Sequence, residues 1–285
     1  MSRQYYYLVA GLPDILLDDT KMILSPVEYR SFLAEHLPVE DFDLIRLYFW
    51  PFDHQNLLNR LKGSDEPHAE SGNLSAEMLE QLLAAAKDAS YDSLPFKCPS
   101  YLPLFIDAYK AEQAIIPNKS WDLQLTELYF QHALQVPNKF VQAWILFEQK
   151  LGNVLTAYKC RENSLTIETQ LVGNDEIQDK LIRSSARDFG LDSDELPYSE
   201  AIFRALETNE LFEQEKRIDT IRWELLDEQS FFHYFSVEKL FTFLIKLAII
   251  ERWMRLDKNT GLEFFKDMLK KLETSYEFPA DFSLK

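Results

Sequence analysis

Apolar residues recur at helical spacing along most of the chain. One stripe has intervals of four, three, four, three and four residues, and it consists of Phe140, Trp144, Phe147, Leu151, Val154 and Tyr158. This spacing places them on one face of an α-helix. A second stripe consists of Phe42, Ile45, Phe49 and Phe52 and contains Pro51. Because proline removes a backbone donor and crowds the preceding turn, we expect a break in this helix near Trp50.

Three of the predicted helices end in related sequences, HQNLLNRLKG, LGNVLTAYKC and IERWMRLDKN. Asn56 aligns with Asn153 and Arg252 at offsets of 97 and 99 residues, and the aligned basic residues are Lys62, Lys159 and Lys258. Another helix precedes each of these three helices. Between the two helices of each pair lie stop and restart signals, around Pro38, around Pro137 with Asn138, and around Ser236. A period of this length predicts three related helical hairpins, over residues 25 to 63, 120 to 161 and 216 to 259. The six aligned positions are predicted to be structural.

The first half of the chain contains other predicted elements. Residues 5 to 9 are Tyr-rich and precede a GLPD turn, a pattern that predicts a short strand or extended segment. Ser75 stands where it can cap the helix AEMLEQLLAAAKDA, because a serine oxygen accepts a hydrogen bond from the first turn. A further helix is predicted around residues 104 to 115.

The second half is also predicted to be mostly helical. Residues 163 to 174 form a connector, and a helix over residues 175 to 189 is capped by Gly190. Residues 198 to 275 form nearly continuous helix, broken at Ser236 and at residues 259 to 261, before an irregular tail. The chain as a whole is predicted to be a single all-α domain over residues 1 to 285, with an acidic helical insert at 175 to 215.

Composition agrees with a folded helical protein. The chain has 46% hydrophobic residues, which suffices for a sizeable core, and only 7 Gly among 285 residues, which disfavours sites that need many positive-φ turns. Its net charge is −17, and residues 175 to 228 contribute −9 of it, from 16 acidic and 7 basic residues. Such charge disfavours nucleic acid and anionic lipid as partners. A basic protein partner and a merely solubilising surface both agree with it.

Cysteine content and hydropathy indicate a reducing, non-membrane environment. Cys98 and Cys160 are the only cysteines and lack metal-ligand spacing, so neither a disulfide framework nor a zinc site is expected. The N-terminus lacks the sustained apolar core of a signal peptide. The most hydrophobic stretch, residues 231 to 254, is interrupted by charged residues, among them Glu238, Lys239, Lys246 and Glu251. This pattern predicts a buried helix of a soluble bundle and no insertion into a bilayer. A cytoplasmic location is expected.

Catalytic and cofactor motifs are not found in the sequence. It has no GxxxxGK[ST], GxGxxG, HExxH or GxSxG pattern, and its histidines are scattered at His36, His54, His68, His132 and His233. His233 lies among aromatic residues in FFHYF and is predicted to be structural. Adjacent acidic residues on a helix point about 100° apart and do not converge on one atom. If Asp53 and Arg46 are buried together, a structural ion pair is favoured over catalysis. No catalytic, cofactor-binding or metal-binding residue is assigned.

The segments NLLNRLKG and NVLTAYKC resemble the repeated helix ends of the C subunit of archaeal and bacterial V-type ATPases, whose eukaryotic counterpart is the d subunit. The resemblance covers the three predicted hairpins. It departs from the usual pattern at Pro51, at Trp253 with Met254, in the Tyr-rich N-terminus and in the acidic region at residues 175 to 228. As a whole the chain looks like a divergent bacterial family related to those proteins.

This resemblance implies an all-helical funnel with pseudo-threefold symmetry. Such a protein lies at the inner membrane face, on the proteolipid ring, accepts the foot of the rotor stalk and transmits torque in ion transport without doing chemistry. Two other hypotheses remain. One is a helical scaffold or adaptor unrelated to ATPases, which would lack the pseudo-symmetry or a central socket. The other is an enzyme whose site is assembled from dispersed residues, with Asp, Glu and His converging in a deep pocket.

Overall fold

A computed structural model describes residues 3 to 19 and 21 to 256, and all regular structure within these ranges is helical. The prediction of an all-α fold is confirmed. The α-helices are α1 (Tyr6–Ala10), α2 (Pro26–His36), α3 (Val39–Arg46), α4 (Trp50–Leu61), α5 (Ala76–Ala85), α6 (Tyr101–Lys110), α7 (Trp121–Ala133), α8 (Lys139–Glu162), α9 (Glu176–Arg183), α10 (Ser199–Leu206), α11 (Leu211–Ser230) and α12 (Val237–Arg255).

Local sequence signals fix several helix boundaries as predicted. Ser75 accepts a hydrogen bond from the backbone of Met78, which confirms the predicted cap of α5. The predicted break near Trp50 is also confirmed, because a 3₁₀ turn at Leu47–Phe49 separates α3 from α4 and Pro51 lies in the first turn of α4. There its missing N–H costs nothing, since the first turn of a helix has no acceptor for it.

Other predicted boundaries are wrong. Residues 5 to 9 contribute to helix α1 instead of a strand, and the backbone N–H of Tyr5 donates to the carbonyl of Phe235 at 2.5 Å. The helix that was predicted to reach residue 189 ends at Arg183, and Gly190 (φ +70°) belongs to a separate turn. The helix predicted around residues 104 to 115 is α6, which starts and ends earlier.

The predicted continuous helix from residue 198 contains an additional break between α10 and α11. The connector at residues 163 to 174 is irregular, as predicted. The predicted breaks at residues 259 to 261, the tail and Lys258 lie outside the described residues.

The core is rich in aromatic and aliphatic side chains, and α12 runs through it in contact with α2, α3, α8 and α11. The predicted stripe on α8 is buried from Phe140 to Val154. The prediction that residues 231 to 254 form a buried helix is confirmed in part. The helix α12 is buried along most of its length, whereas Phe231 and Phe232 in the preceding turn are exposed. Of the helices in the described part of the chain, none has the length and apolar character needed to cross a membrane.

Candidate functional site

The aligned residues Asn56 and Asn153 make the same pair of hydrogen bonds. The Asn56 amide donates to the carbonyl of Ala69 at 2.9 Å and accepts from its N–H at 2.9 Å. The Asn153 amide donates to the carbonyl of Val172 at 2.7 Å and accepts from its N–H at 2.8 Å. An asparagine side chain has one donor and one acceptor group and can satisfy both backbone groups of one residue. Each asparagine therefore fastens the segment that follows its helix, α4 or α8.

The other aligned residues make different contacts. Arg252, in the third copy, forms ion pairs with Glu215 and with Asp219, the latter at 3.3 Å. Lys62 pairs with Asp122 at 3.1 Å, and Lys159 pairs with Glu162 at 2.9 Å. Both lysine pairs are solvent-exposed, and exposed pairs contribute only about 0–1 kcal/mol to stability.

An ion pair between Asp53 and Arg46 does not form. Asp53 is buried and accepts hydrogen bonds from the backbone of Asn73 and Leu74, each at 2.8 Å. Burial raises the pKa of Asp53, although these donors oppose the shift. Arg46 instead pairs with Asp43 at 3.2 Å and lies over the ring of Trp50. The Asp53 carboxylate therefore fastens a loop, as Asn56 does one turn later.

Of the five histidines, His54 and His132 both pack against the ring of Tyr101, with centroid distances of 5.6 and 5.4 Å. His54 is buried, its Nε2 lies 2.7 Å from the hydroxyl of Tyr101, and burial lowers its pKa to about 3. His233 packs edge-on against Phe140, with ring centroids 5.3 Å apart, and its Nδ1 lies 3.7 Å from Glu238. His54 therefore makes structural contacts in the core, and His233 makes them at the margin of the core.

A cavity of about 680 Å³ opens between helices in the centre of the described structure. Its lining is mainly apolar, and the side chains come from the α3–α4 region, α8 and α12. The apolar lining residues on these helices are Tyr48, Phe49, Pro51, Phe52, Trp144, Ile145, Phe241, Ile245, Ala248 and Ile249. Further apolar lining residues are Tyr129 and Phe130 of α7, Pro26 and Val27 of α2, and Leu256. An apolar cavity of this size suits a small molecule or an inserted side-chain cluster.

One wall of the cavity is a network of ion pairs. Arg222 of α11 donates to Glu148 of α8 at 2.8 Å and to Asp219 at 2.8 Å. Arg252 of α12 pairs with Asp219, whose carboxylate also accepts from the indole N–H of Trp253 at 2.9 Å. Burial by itself lowers the pKa of Arg222, but Glu148 and Asp219 outweigh it, so the pKa is raised. The network holds α8, α11 and α12 together at the cavity.

The acidic side chains that line this cavity are paired with arginines. Glu148 and Asp219 pair with Arg222, Glu251 pairs with Arg255, and none of the five histidines lines the cavity. In the described ranges, no group of three or more His, Cys, Asp or Glu side chains is arranged to hold a metal ion.

Sequence reasoning missed Arg222, Glu148 and Asp219. The spacing of Asp219 and Arg222, three residues apart on α11, was the available signal, because such residues are neighbours on a helix surface. Their partner Glu148 lies 74 residues away in sequence, where no local pattern points to it.

Comparison with known proteins identifies a family. A family model described as "Protein of unknown function (DUF2764)" matches residues 1 to 276. No curated protein and no solved structure matches the chain significantly.

Proposed function

The chain belongs to the DUF2764 family, and we propose that it is a non-catalytic connector of a V-type rotary ATPase, linking the rotor stalk to the membrane proteolipid ring. The observation that carries this proposal is the apolar cavity, to which the long helices of all three hairpins contribute. In this proposal the cavity is the socket for the foot of the stalk.

Contacts between the hairpins close into a ring. The long helix of the first hairpin meets α7 of the second, where the Tyr129 hydroxyl donates to the carbonyl of Leu47 at 3.1 Å. The long helix of the second meets α11 of the third through Glu148 and Arg222. The long helix of the third meets α2 of the first, where the rings of Phe243 and Tyr29 are 5.1 Å apart. Each long helix thus contacts the first helix of the next hairpin, a cyclic order that supports pseudo-threefold symmetry.

Aligned positions recur within this ring. Leu47 and Phe243, which make two of the three junctions, correspond under the offsets of 97 and 99 residues. Tyr48 and Ile145 correspond in the same way, as do Phe49 and Ile245, and all four line the cavity. The shared hydrogen bonds of Asn56 and Asn153 add a fourth correspondence. These matches support a triplicated hairpin whose copies face a common cavity.

A closed ring of helices is mechanically suited to transmit torque. A load on one hairpin passes to both neighbours through packed side chains, and the ion pairs of Arg222 resist separation of α8 from α11. The peripheral position at the cytoplasmic membrane face and the contact with the proteolipid ring follow from the resemblance to V-type ATPase connectors and are part of the proposal.

The test is a pull-down of the tagged full chain from native membranes, followed by identification of the co-purifying proteins. We expect rotor-stalk and proteolipid proteins with the wild-type chain. Ala248→Trp fills the cavity and should remove the stalk proteins, whereas Ala143→Trp, on the exposed side of α8, should not. Recovery of no rotor or proteolipid component, under conditions that keep such a complex intact, would refute the proposal. Reproducible recovery of other proteins would favour the scaffold hypothesis.

The cavity volume also favours a second candidate function, binding of an apolar small molecule. Its volume of about 680 Å³ lies within the range of about 300–1,000 Å³ that is usual for ligand sites. Native mass spectrometry of the purified protein tests this candidate. A bound small molecule that is lost in Ala248→Trp and retained in Ala143→Trp would support it, and a ligand-free mass for the wild type would contradict it.

A further inference from the structure

The apolar cavity lies where the described part of the chain ends. Arg255, the last residue of α12, and Leu256 after it both line the cavity. The apolar side chain of Leu256 is 49% exposed at this point. Residue 257 therefore follows directly from the cavity wall, so the sequence that comes next is tethered to the cavity.

This following sequence has the pattern of an amphipathic helix. Thr260 and Glu263 match the S/T-x-x-E capping box, which opens helices. At about 100° per residue, one arc of about 160° collects the apolar residues and Ser275, and the charged residues fall on the remaining side. We call residues 260 to 276 the distal segment. The apolar residues on its arc are Leu262, Phe264, Phe265, Met268, Leu269, Leu272 and Tyr276.

The apolar arc and the cavity wall are complementary surfaces. An amphipathic helix gains most of its stability by packing its apolar face against another apolar surface. The cavity offers such a surface, about 680 Å³ in volume and lined mainly by apolar side chains of the α3–α4 region, α8 and α12. Only residues 257 to 259 separate Leu256 from Thr260, so Thr260 lies within about 14 Å of Leu256. The arc therefore starts within reach of the cavity mouth.

We propose that the distal segment covers the cavity and inserts its apolar side chains into it. A free ligand or a second copy of the chain has to bind from solution. A tether of three residues instead holds the distal segment near the mouth at an effective concentration of the order of millimolar. The tether and the apolar arc together favour this segment over an occupant from outside the chain.

This proposal concerns the chain by itself and does not need a rotary ATPase. Only one consequence rests on the proposed function, namely that a stalk would have to displace the distal segment from the socket. The experiments below use the purified full chain, in which no ATPase component is present. Their failure would leave the pull-down result untouched, and a failed pull-down would leave them untouched.

Photo-cross-linking locates the distal segment. Benzoylphenylalanine in place of Phe265, on the apolar arc, should form intramolecular cross-links to lining residues such as Ile245 and Ala248. Benzoylphenylalanine in place of Lys270, about 140° away around the predicted helix, is the matched control and should form none of them. Three results would overturn the proposal: no cavity cross-link from position 265, equal cavity cross-linking from position 270, or covalent dimers, which would indicate a second copy in the cavity.

Binding of the dye 1-anilinonaphthalene-8-sulfonate measures whether the cavity is covered, because its fluorescence rises on exposed apolar surface. The double variant Phe265→Ser with Leu269→Ser should raise the fluorescence about threefold or more. Its control, Lys266→Ser with Lys270→Ser on the charged side, should leave it unchanged. Adding Ala248→Trp to the first variant fills the cavity and should restore the wild-type signal. A rise that persists would mean that the dye binds unfolded chain, and that result or an unchanged signal in the first variant would contradict the proposal.

Discussion

Substitution of Asn153 and Asn56 by alanine tests how strongly the two equivalent clamps stabilise the fold. In Asn153→Ala, the backbone N–H and carbonyl of Val172 lose their side-chain partner. Val172 is buried, so water does not replace the amide at the N–H. The carbonyl keeps a hydrogen bond from Gln178. The main loss is therefore one orphaned backbone donor.

The structure predicts different magnitudes for the two sites. An unsatisfied buried donor costs about 1–3 kcal/mol, and loss of a second hydrogen bond adds about 0.5–1.5 kcal/mol. We therefore expect Asn153→Ala to lower the free energy of unfolding by about 3 kcal/mol. In Asn56→Ala the freed groups belong to Ala69, which is exposed, so water replaces the amide and the cost falls to about 1 kcal/mol.

Urea unfolding measures this difference. The change in the free energy of unfolding follows from the shift of the transition midpoint when the slope of free energy against urea concentration is the same for each variant. Asn163→Ala is the control, because Asn163 is exposed and bonds only within its own helix end. We expect it to change the free energy of unfolding by no more than about 0.5 kcal/mol. If Asn56→Ala destabilised the protein as much as Asn153→Ala, burial of the clamped backbone would not set the cost, and the reasoning would be wrong.

Three further substitutions probe other parts of the structure. Because the pKa of His54 falls from 6.5 to about 3 on folding, the unfolded chain binds a proton first. As the pH is lowered from about 6.5 to about 3, the free energy of unfolding should therefore fall by about 1.4 kcal/mol per pH unit. His54→Gln should flatten this slope in pH-dependent unfolding. Arg222→Ala leaves Glu148 and Asp219 without that cation and should cost about 3 kcal/mol in urea unfolding. Gly173→Ala should cost about 2 kcal/mol by the same assay, because φ is +93° and the new Cβ lies 2.7 Å from Gln178.

Each of these has a control and a contradicting result. His36→Gln, at an exposed site, should keep the pH slope, and an unchanged slope in His54→Gln would contradict the low pKa. Arg217→Ala removes an exposed pair and should be nearly neutral; an equal cost for Arg222→Ala would mean that the network is not stabilising. Gly63 has φ +70° and open space around it, so Gly63→Ala should cost less than Gly173→Ala.

Local features of the fold could be predicted from the sequence. The all-α class, the buried face of α8, the cap at Ser75 and the break at Trp50 all depend on residues within a few positions of one another. Helical periodicity and capping act over this range. The prediction failed at residues 5 to 9, where α1 forms and where the backbone of Tyr5 is bonded to Phe235, a contact between distant segments that no local pattern indicates.

The alignment of Asn56 with Asn153 was visible in the sequence alone, and so was its structural interpretation. What the two amides bind, and the cavity between the long helices, were decided only by the tertiary structure. The tertiary structure also decided the network of Glu148, Arg222 and Asp219, because its charges come from two helices, α8 and α11, that are distant in sequence. Periodicity places a residue on one face of its own helix, whereas packing between helices determines which face it meets.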